Sequence, residues 1–222
     1  GDGDIDLAVS NLAGGCVSVL LNSGTATFTT SSVAVGTGPR GIAAADLDGD
    51  GDTDLITANY SSDTVSVLLN DGSGGFSNAT GSPFAVGTSP VSVTAADLNG
   101  DGHIDLAVTS NSTNAVNLFM NDGSASFTAG TSVPTGAGPR GITSADLDGD
   151  GDIDLVVDNF NAVSLSVLLN DGTGAFTAGP TLTTGNNPYT TTAADVDGDG
   201  WLDLIATNSG SGSVSLFQNT TA

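Results

Sequence analysis

Glutamate and lysine are absent from these 222 residues, and the whole cationic complement is Arg40 and Arg140. A lysine Schiff base is therefore impossible, and all 25 acidic side chains are aspartate. His103 is the single histidine and Cys16 the single cysteine, so neither a repeated catalytic unit built on them nor an internal disulfide framework can be assembled. Aromatics make up only 5% of the chain, with one tryptophan, Trp201, and two tyrosines, Tyr60 and Tyr189. No apolar run approaches the roughly 20 residues of a membrane-crossing helix. A formal net charge of −23 opposes contact with nucleic acid or anionic membranes. The expectation is a chain with no enzyme activity, no nucleic-acid partner and no membrane insertion.

Charged residues are only 12% of the chain while hydrophobic residues reach 38%, the balance of a folded protein rather than an acidic tail. Its organisation is repetitive. The string DLDGDGDTD begins at Asp46, and relatives begin at Asp97 (DLNGDGHID), Asp146 (DLDGDGDID) and Asp195 (DVDGDGWLD), at intervals of 51, 49 and 49 residues. A truncated copy, Gly1-Asp2-Gly3-Asp4-Ile5-Asp6, opens the chain. In phase with these runs a second marker: SVLLN at Ser18–Asn22, Ser66–Asn70 and Ser166–Asn170, NLFMN at Asn117–Asn121 and SLFQN at Ser215–Asn219. Phe28, Phe76, Phe127 and Phe176 follow the marker's last Asn by six residues in four copies. Repetition at this period marks stacked supersecondary units.

Within a repeat the pattern is all strand. Ile42–Leu47 leads into the acidic loop, Asp54–Asn59 is a short apolar strand, and Thr64–Asn70 alternates polar with β-branched residues. Asp71-Gly72 signals a hairpin turn before an outer strand from Phe76. Four short strands cannot bury both faces of their own sheet, and packing sheet against sheet around an axis solves this. The expected fold is all-β, a β-propeller of four-stranded antiparallel blades with about 4.5 repeats of ~49 residues, as a single domain over 1–222. A two-sheet sandwich would not give equivalent repeats. The units run approximately 1–38, 39–88, 89–138, 139–187 and 188–222. The first lacks its innermost strand and the last its outermost, which points to part of a larger ring or array, with self-association through exposed sheet edges as a further expectation.

The loop D-x-[DN]-x-D-G-x-x-D has a specific chemical meaning. Carboxylates at positions 1, 3 and 5 converge when the backbone curls, glycine at position 6 permits the turn, position 7 offers a carbonyl, and the Asp at position 9 closes the shell. Hard oxygen donors in that number suit Ca²⁺ better than Mg²⁺. The expected side-chain ligands are Asp46, Asp48, Asp50 and Asp54; Asp97, Asn99, Asp101 and Asp105; Asp146, Asp148, Asp150 and Asp154; and Asp195, Asp197, Asp199 and Asp203. The carbonyl donors are Asp52, His103, Asp152 and Trp201. Asp2 and Asp6, with the Asp4 carbonyl, form a partial fifth site. Twenty of the 25 aspartates fall in these loops. An EF-hand is excluded, because its twelve-residue loop ends in glutamate between helices.

These DxDxDGxxD loops, the SVLLN-type strand, the NDGxGxF turn and the Gly-Pro segment ahead of the next loop resemble FG-GAP/VCBS repeats, found in integrin-α-like β-propellers and many bacterial surface proteins. The resemblance spans essentially the whole chain. It implies blades with Ca²⁺ held between the first and second strands, on the aspartates named above. By that likeness the expected role is a non-enzymatic, calcium-stabilised module of the extracellular or cell-surface space, secreted, for adhesion, matrix or fibre assembly, with a protein or glycan partner. Two alternatives are a carbohydrate-binding lectin, with Tyr60, Tyr189 and Trp201 as candidate platforms, and an accessory domain of a larger secreted enzyme. Gly38-Pro39-Arg40-Gly41 recurs as Gly138-Pro139-Arg140-Gly141. Each arginine is expected near an inner strand, paired with an aspartate of a neighbouring loop, with ligand capture as the alternative.

Overall fold

A computed structural model describes residues 3–220. Five antiparallel sheets follow one another along the chain, and no helix occurs among the described residues. The first sheet contains β1 (Leu7–Asn11), β2 (Cys16–Asn22) and β3 (Phe28–Ala34). The second contains β4 (Pro39–Ala45), β5 (Asp54–Asn59), β6 (Thr64–Asn70), β7 (Phe76–Asn78) and β8 (Phe84–Ala85). The third repeats this with β9 (Pro90–Ala96), β10 (Asp105–Ser110), β11 (Ala115–Asn121), β12 (Phe127–Ala129) and β13 (Val133–Pro134). The fourth has β14 (Pro139–Ala145), β15 (Asp154–Asn159), β16 (Ser164–Asn170) and β17 (Phe176–Thr183), and the fifth β18 (Pro188–Ala194), β19 (Asp203–Asn208) and β20 (Ser213–Phe217).

Register repeats with the sequence: Leu55 pairs with Leu68 in the second sheet as Leu155 pairs with Leu168 in the fourth. Among the described residues the first sheet has no inner strand and the fifth no outer one, in line with the repeat arithmetic. The outer strand is less uniform than expected. In the second and third sheets it is broken, so that β7 and β8 pair separately with β6, and β12 and β13 with β11. In the fourth sheet the unbroken β17 pairs along the length of β16.

Inner strands β4, β9, β14 and β18 lie side by side in succession, the arrangement of propeller blades about an axis. The core is correspondingly divided into four clusters, one between each adjacent pair of sheets. Alternation along each middle strand distributes the residues: Leu55 packs toward the first sheet, and Ile56 and Ala58 toward the third. Middle strands are thus buried on both faces, which is why they read as nearly continuous apolar runs. The terminal sheets have one uncovered face. Leu7 and Val9 on β1 are each 47% exposed, and Val214 and Leu216 on β20 are 63% and 51% exposed.

Candidate metal centre

Each of the four full acidic loops joins an inner strand to the second strand of its sheet. Its shape is set by main-chain amides binding the aspartates. Asp46 accepts from Gly49 N through Oδ1 (2.8 Å) and from Gly51 N through Oδ2 (3.0 Å), and Asp50 Oδ1 accepts from Asp52 N (2.8 Å). Gly49 and Gly51 adopt φ of 77° and 90°, a region closed to most side chains, so glycine is required for the curl. The same bonds recur in the fourth loop at Asp146 and Asp150 and in the fifth at Asp195 and Asp199. The third loop keeps them at Asp97 and Asp101, with Asn99 Nδ2 donating to Asp101 Oδ2 at 3.0 Å.

Position 9 is the buried end of the loop. Asp54 is fully buried; its Oδ2 accepts from Leu47 N (2.9 Å) and its Oδ1 from Asn70 N (2.8 Å). Asp105, Asp154 and Asp203 make the same pair of bonds. Each oxygen has a second lone pair left for another ligand. Burial pushes the Asp54, Asp105 and Asp154 carboxyls above the usual range against the lowering effect of those amides, and neighbouring loop carboxylates push the same way. The anionic form is thus held in a crowded, partly desolvated site, the situation a bound cation relieves.

Three loops bring carboxylate oxygens within 4.8 Å of one another: Asp46, Asp48 and Asp50; Asp146, Asp148 and Asp154; and Asp195, Asp197 and Asp199. These all-oxygen donor sets fit a hard divalent cation and offer nothing to a soft one. Of the truncated loop, Asp2 lies outside the described residues. Asp6 Oδ1 accepts from Asn22 N (2.7 Å), as its position-9 counterparts do.

Side chains at position 7 turn away from the curl. Asp52 and Asp152 lie over Gly72 and Gly172 of their own hairpin turns, and the His103 ring lies over Gly123. Trp201 instead lies over Gly149 in the preceding loop, which occupies it as an inter-sheet contact. In the last three sheets the asparagine at or just past the end of the third strand reaches back to the preceding loop: Asn121 Nδ2 donates to Leu47 O (2.8 Å), Asn170 Nδ2 to Leu98 O (2.9 Å) and Asn219 Nδ2 to Leu147 O (2.7 Å).

The expected pairing of arginine with a loop aspartate is wrong. Arg40 and Arg140 sit at the start of inner strands, at the end opposite the acidic loops, and among the described residues neither forms an ion pair. Arg40 lies over the Tyr60 ring, 3.6 Å from its centroid, and Arg140 over Phe160 at 3.7 Å, with Tyr189 at 5.3 Å. The signal was present in the sequence, since Tyr60 and Phe160 occupy one repeat position, 20 residues beyond Arg40 and Arg140. Asp158 also escaped sequence reading. Fully buried in β15, it accepts from Thr191 Oγ1 (2.7 Å) through Oδ1, its Oδ2 has no partner, and burial pushes its pKa to about 6.

Charge is segregated between the two ends of the strands. Asp71, Asp122 and Asp171 lie in hairpin turns at the loop end, where hydroxyls of Ser73, Ser124 and Thr173 hold their carboxyls below the usual range. Every described aspartate except Asp63 and Asp158 is at that end; the arginines are at the other.

A family profile described as FG-GAP-like repeat matches residues 1–57, 46–108, 97–157 and 158–206. No curated protein matches the chain. Similar solved structures include a functionally unknown protein from Desulfotomaculum acetoxidans DSM 771, at TM-score 0.65 and 17% identity, over 96% of this chain and 65% of that one. A catalytically inactive virginiamycin B lyase from Staphylococcus aureus with quinupristin aligns at TM-score 0.62 and 17% identity, over 97% and 67%. A protein from Lactobacillus plantarum aligns at 0.64 and 18%, over 96% and 67%. This chain thus spans about two thirds of the length of each, and at such identities the likeness establishes the propeller fold alone.

Proposed function

This chain belongs to the FG-GAP-like repeat family, and from that premise we propose that it is a non-enzymatic, calcium-stabilised β-propeller module of the extracellular or cell-surface space, serving adhesion, matrix or fibre assembly. The observation that carries the metal assignment is the convergence of three carboxylate oxygens within 4.8 Å in the second, fourth and fifth loops. Asp46, Asp48, Asp50 and Asp54 and their equivalents would hold the ion, with main-chain oxygen at position 7. Four filled sites would take the formal charge from −23 to −15. Loops of this class fill where calcium is millimolar, which favours an extracellular setting. The scaffold reading draws support from the scarcity of residues that could act as nucleophile or base, with one histidine and one cysteine in the chain.

Calcium would act on the assembly as well as on the loop, because the carbonyls of Leu47, Leu98 and Leu147 inside these loops accept from Asn121, Asn170 and Asn219 of the next sheet in sequence order. Calorimetric titration of EDTA-treated protein with Ca²⁺ should show about four equivalents bound, with a higher melting temperature. No heat and an unmoved melting curve would overturn the metal assignment. Beads coated with the chain should cluster in Ca²⁺ and disperse in EDTA; beads indifferent to both would remove the adhesive role while leaving the metal sites standing.

A further inference from the structure

The two arginines are the only formal cations in a chain of net charge −23, yet neither is spent on an aspartate. Arg140 is the more elaborately built. Its guanidinium carbon lies 3.7 Å from the Phe160 centroid and 5.3 Å from that of Tyr189, its Nε is buried without a hydrogen-bond partner, and the residue as a whole is half-buried. The main chain beneath it is clamped: Thr109 Oγ1 donates to Arg140 O (2.8 Å) and Asn111 Nδ2 to Pro139 O (3.1 Å). Asn187 Nδ2 donates to Phe160 O (3.2 Å), fixing the ring that carries the guanidinium. A planar fork of donors, held in place and unused, is the arrangement that recognises a carboxylate with two parallel bonds.

We propose that Arg140, with Tyr189 beside it, forms a binding site for a carboxylated sugar of the uronic-acid class. The guanidinium edge takes the carboxylate. Tyr189, a residue 51% exposed, supplies a flat apolar platform for the C–H face of the pyranose. The segregation of charge makes this end of the molecule the one that admits an anion, since only Asp63 and Asp158 share it among the described aspartates. A singly charged ligand suits it better than a polyanion, which would feel the field of the acidic loops. The Arg40–Tyr60 stack lacks the second ring and serves as an internal comparison.

This assignment goes beyond the calcium reading and does not depend on it, so the titration is run both in millimolar Ca²⁺ and in EDTA with the fold checked in each, and its failure in folded protein leaves the metal loops untouched. ¹⁵N-labelled protein is titrated with sodium D-glucuronate, methyl glucoside and acetate at matched ionic strength. Glucuronate should shift the resonances of Arg140 and Tyr189 saturably, with a roughly millimolar dissociation constant for so small a ligand. Acetate should bind at least about tenfold more weakly, lacking the ring contact, and methyl glucoside should not bind. Arg140→Met, which keeps the apolar stem, and Tyr189→Ala, at an exposed position, should each weaken glucuronate by about tenfold or more while circular dichroism stays unchanged. Equal binding of acetate and glucuronate would overturn the sugar assignment. Unaltered binding in folded Arg140→Met, or shifts spread evenly over both arginines, would overturn the site.

Discussion

The side-chain amide of Asn121 donates to the main-chain carbonyl of Leu47 at 2.8 Å, tying the end of β11 to the acidic loop of the preceding sheet across 74 residues of sequence. The same amide donates to Ile104 O (3.0 Å), and its Oδ1 accepts from Gly123 N (3.1 Å). Asn121 therefore joins three pieces: its own hairpin turn, its own loop and the neighbour's loop. Replacing it with alanine removes three bonds at a buried point, and Asn121→Ala should cost about 2–4 kcal/mol in urea unfolding. Asn22 occupies the same repeat position in the first sheet, where its amide reaches Ile5 O (3.2 Å) of its own sheet at an exposed site. Asn22→Ala should cost less than about 1 kcal/mol. Equal losses would deny the inter-sheet bond its role.

The acidic loops should show a change of sign with metal. Asp50 is an exposed position-5 carboxylate that helps push the buried Asp54 upward. Asp50→Asn removes one repelling charge from the empty loop and one ligand from the filled one. In EDTA the variant should melt at or slightly above the parent temperature; in millimolar Ca²⁺ it should melt below it, by roughly the binding free energy lost at one site. Differential scanning calorimetry under both conditions checks this. A variant that is less stable in EDTA as well would make the aspartate a structural residue of the loop, independent of metal.

Asp158 gives stability a dependence on pH. Its folded pKa is about 6 against an ordinary value of 3.8, so the folded state holds this proton more tightly than the unfolded chain. The stabilisation is fully present below about pH 4 and is lost as pH rises through about 6, at 1.36 kcal/mol per unit, an upper figure of roughly 3 kcal/mol. Asp158→Asn should remove that slope and make the protein more stable than the parent above neutrality. Thr191 Oγ1 keeps an acceptor in the amide. The new N–H₂ falls beside Gly141, where the Tyr189 carbonyl also lies and where a Cβ would collide with both. The measurement is the difference between variant and parent unfolding free energies across pH. A flat difference would show that Asp158 stays ionised in the fold.

Repetition explains why so much of this architecture was legible in the sequence. The middle strands, their register and the missing strands at either end follow from markers that recur in phase, and the loop aspartates carry their own geometry through Asx-type bonds to following amides. The arginine–aromatic stacks were hidden for a physical reason: attraction of opposite charge makes an aspartate the natural partner of an arginine in so acidic a chain, and only the fold shows that nearly all carboxylates are at the other end of the strands. Asp158 was obscured differently. Its counterparts Ser10 and Thr109 are hydroxyls that donate to Arg40 O and Arg140 O of the next sheet, so nothing about the position asks for a charge. The broken outer strands lie where neither face is fully covered and the pattern is weak.

The residue ahead of each third strand supplies a last test, because the repeats disagree there. Gly15, Asp63, Asn114, Val163 and Gly212 all adopt left-handed backbone, with φ between 53° and 60°. Glycine does so freely and Asp or Asn at small cost, but a β-branched valine is strained there. The polar residues also contribute a bond that valine cannot make: Asp63 Oδ1 accepts from Ser89 N (2.7 Å) and Asn114 Oδ1 from Gly138 N (2.8 Å), each just ahead of the next inner strand. Asn187 is the corresponding residue after Val163. Val163→Asn should therefore relieve the strain and offer an acceptor to Asn187 N, raising stability by about 1–2 kcal/mol. Val163→Gly should recover the strain alone and gain less. If neither variant raises the urea midpoint, the left-handed turn in the fourth sheet is already accommodated by its surroundings, and its difference from the other four repeats carries no energetic consequence.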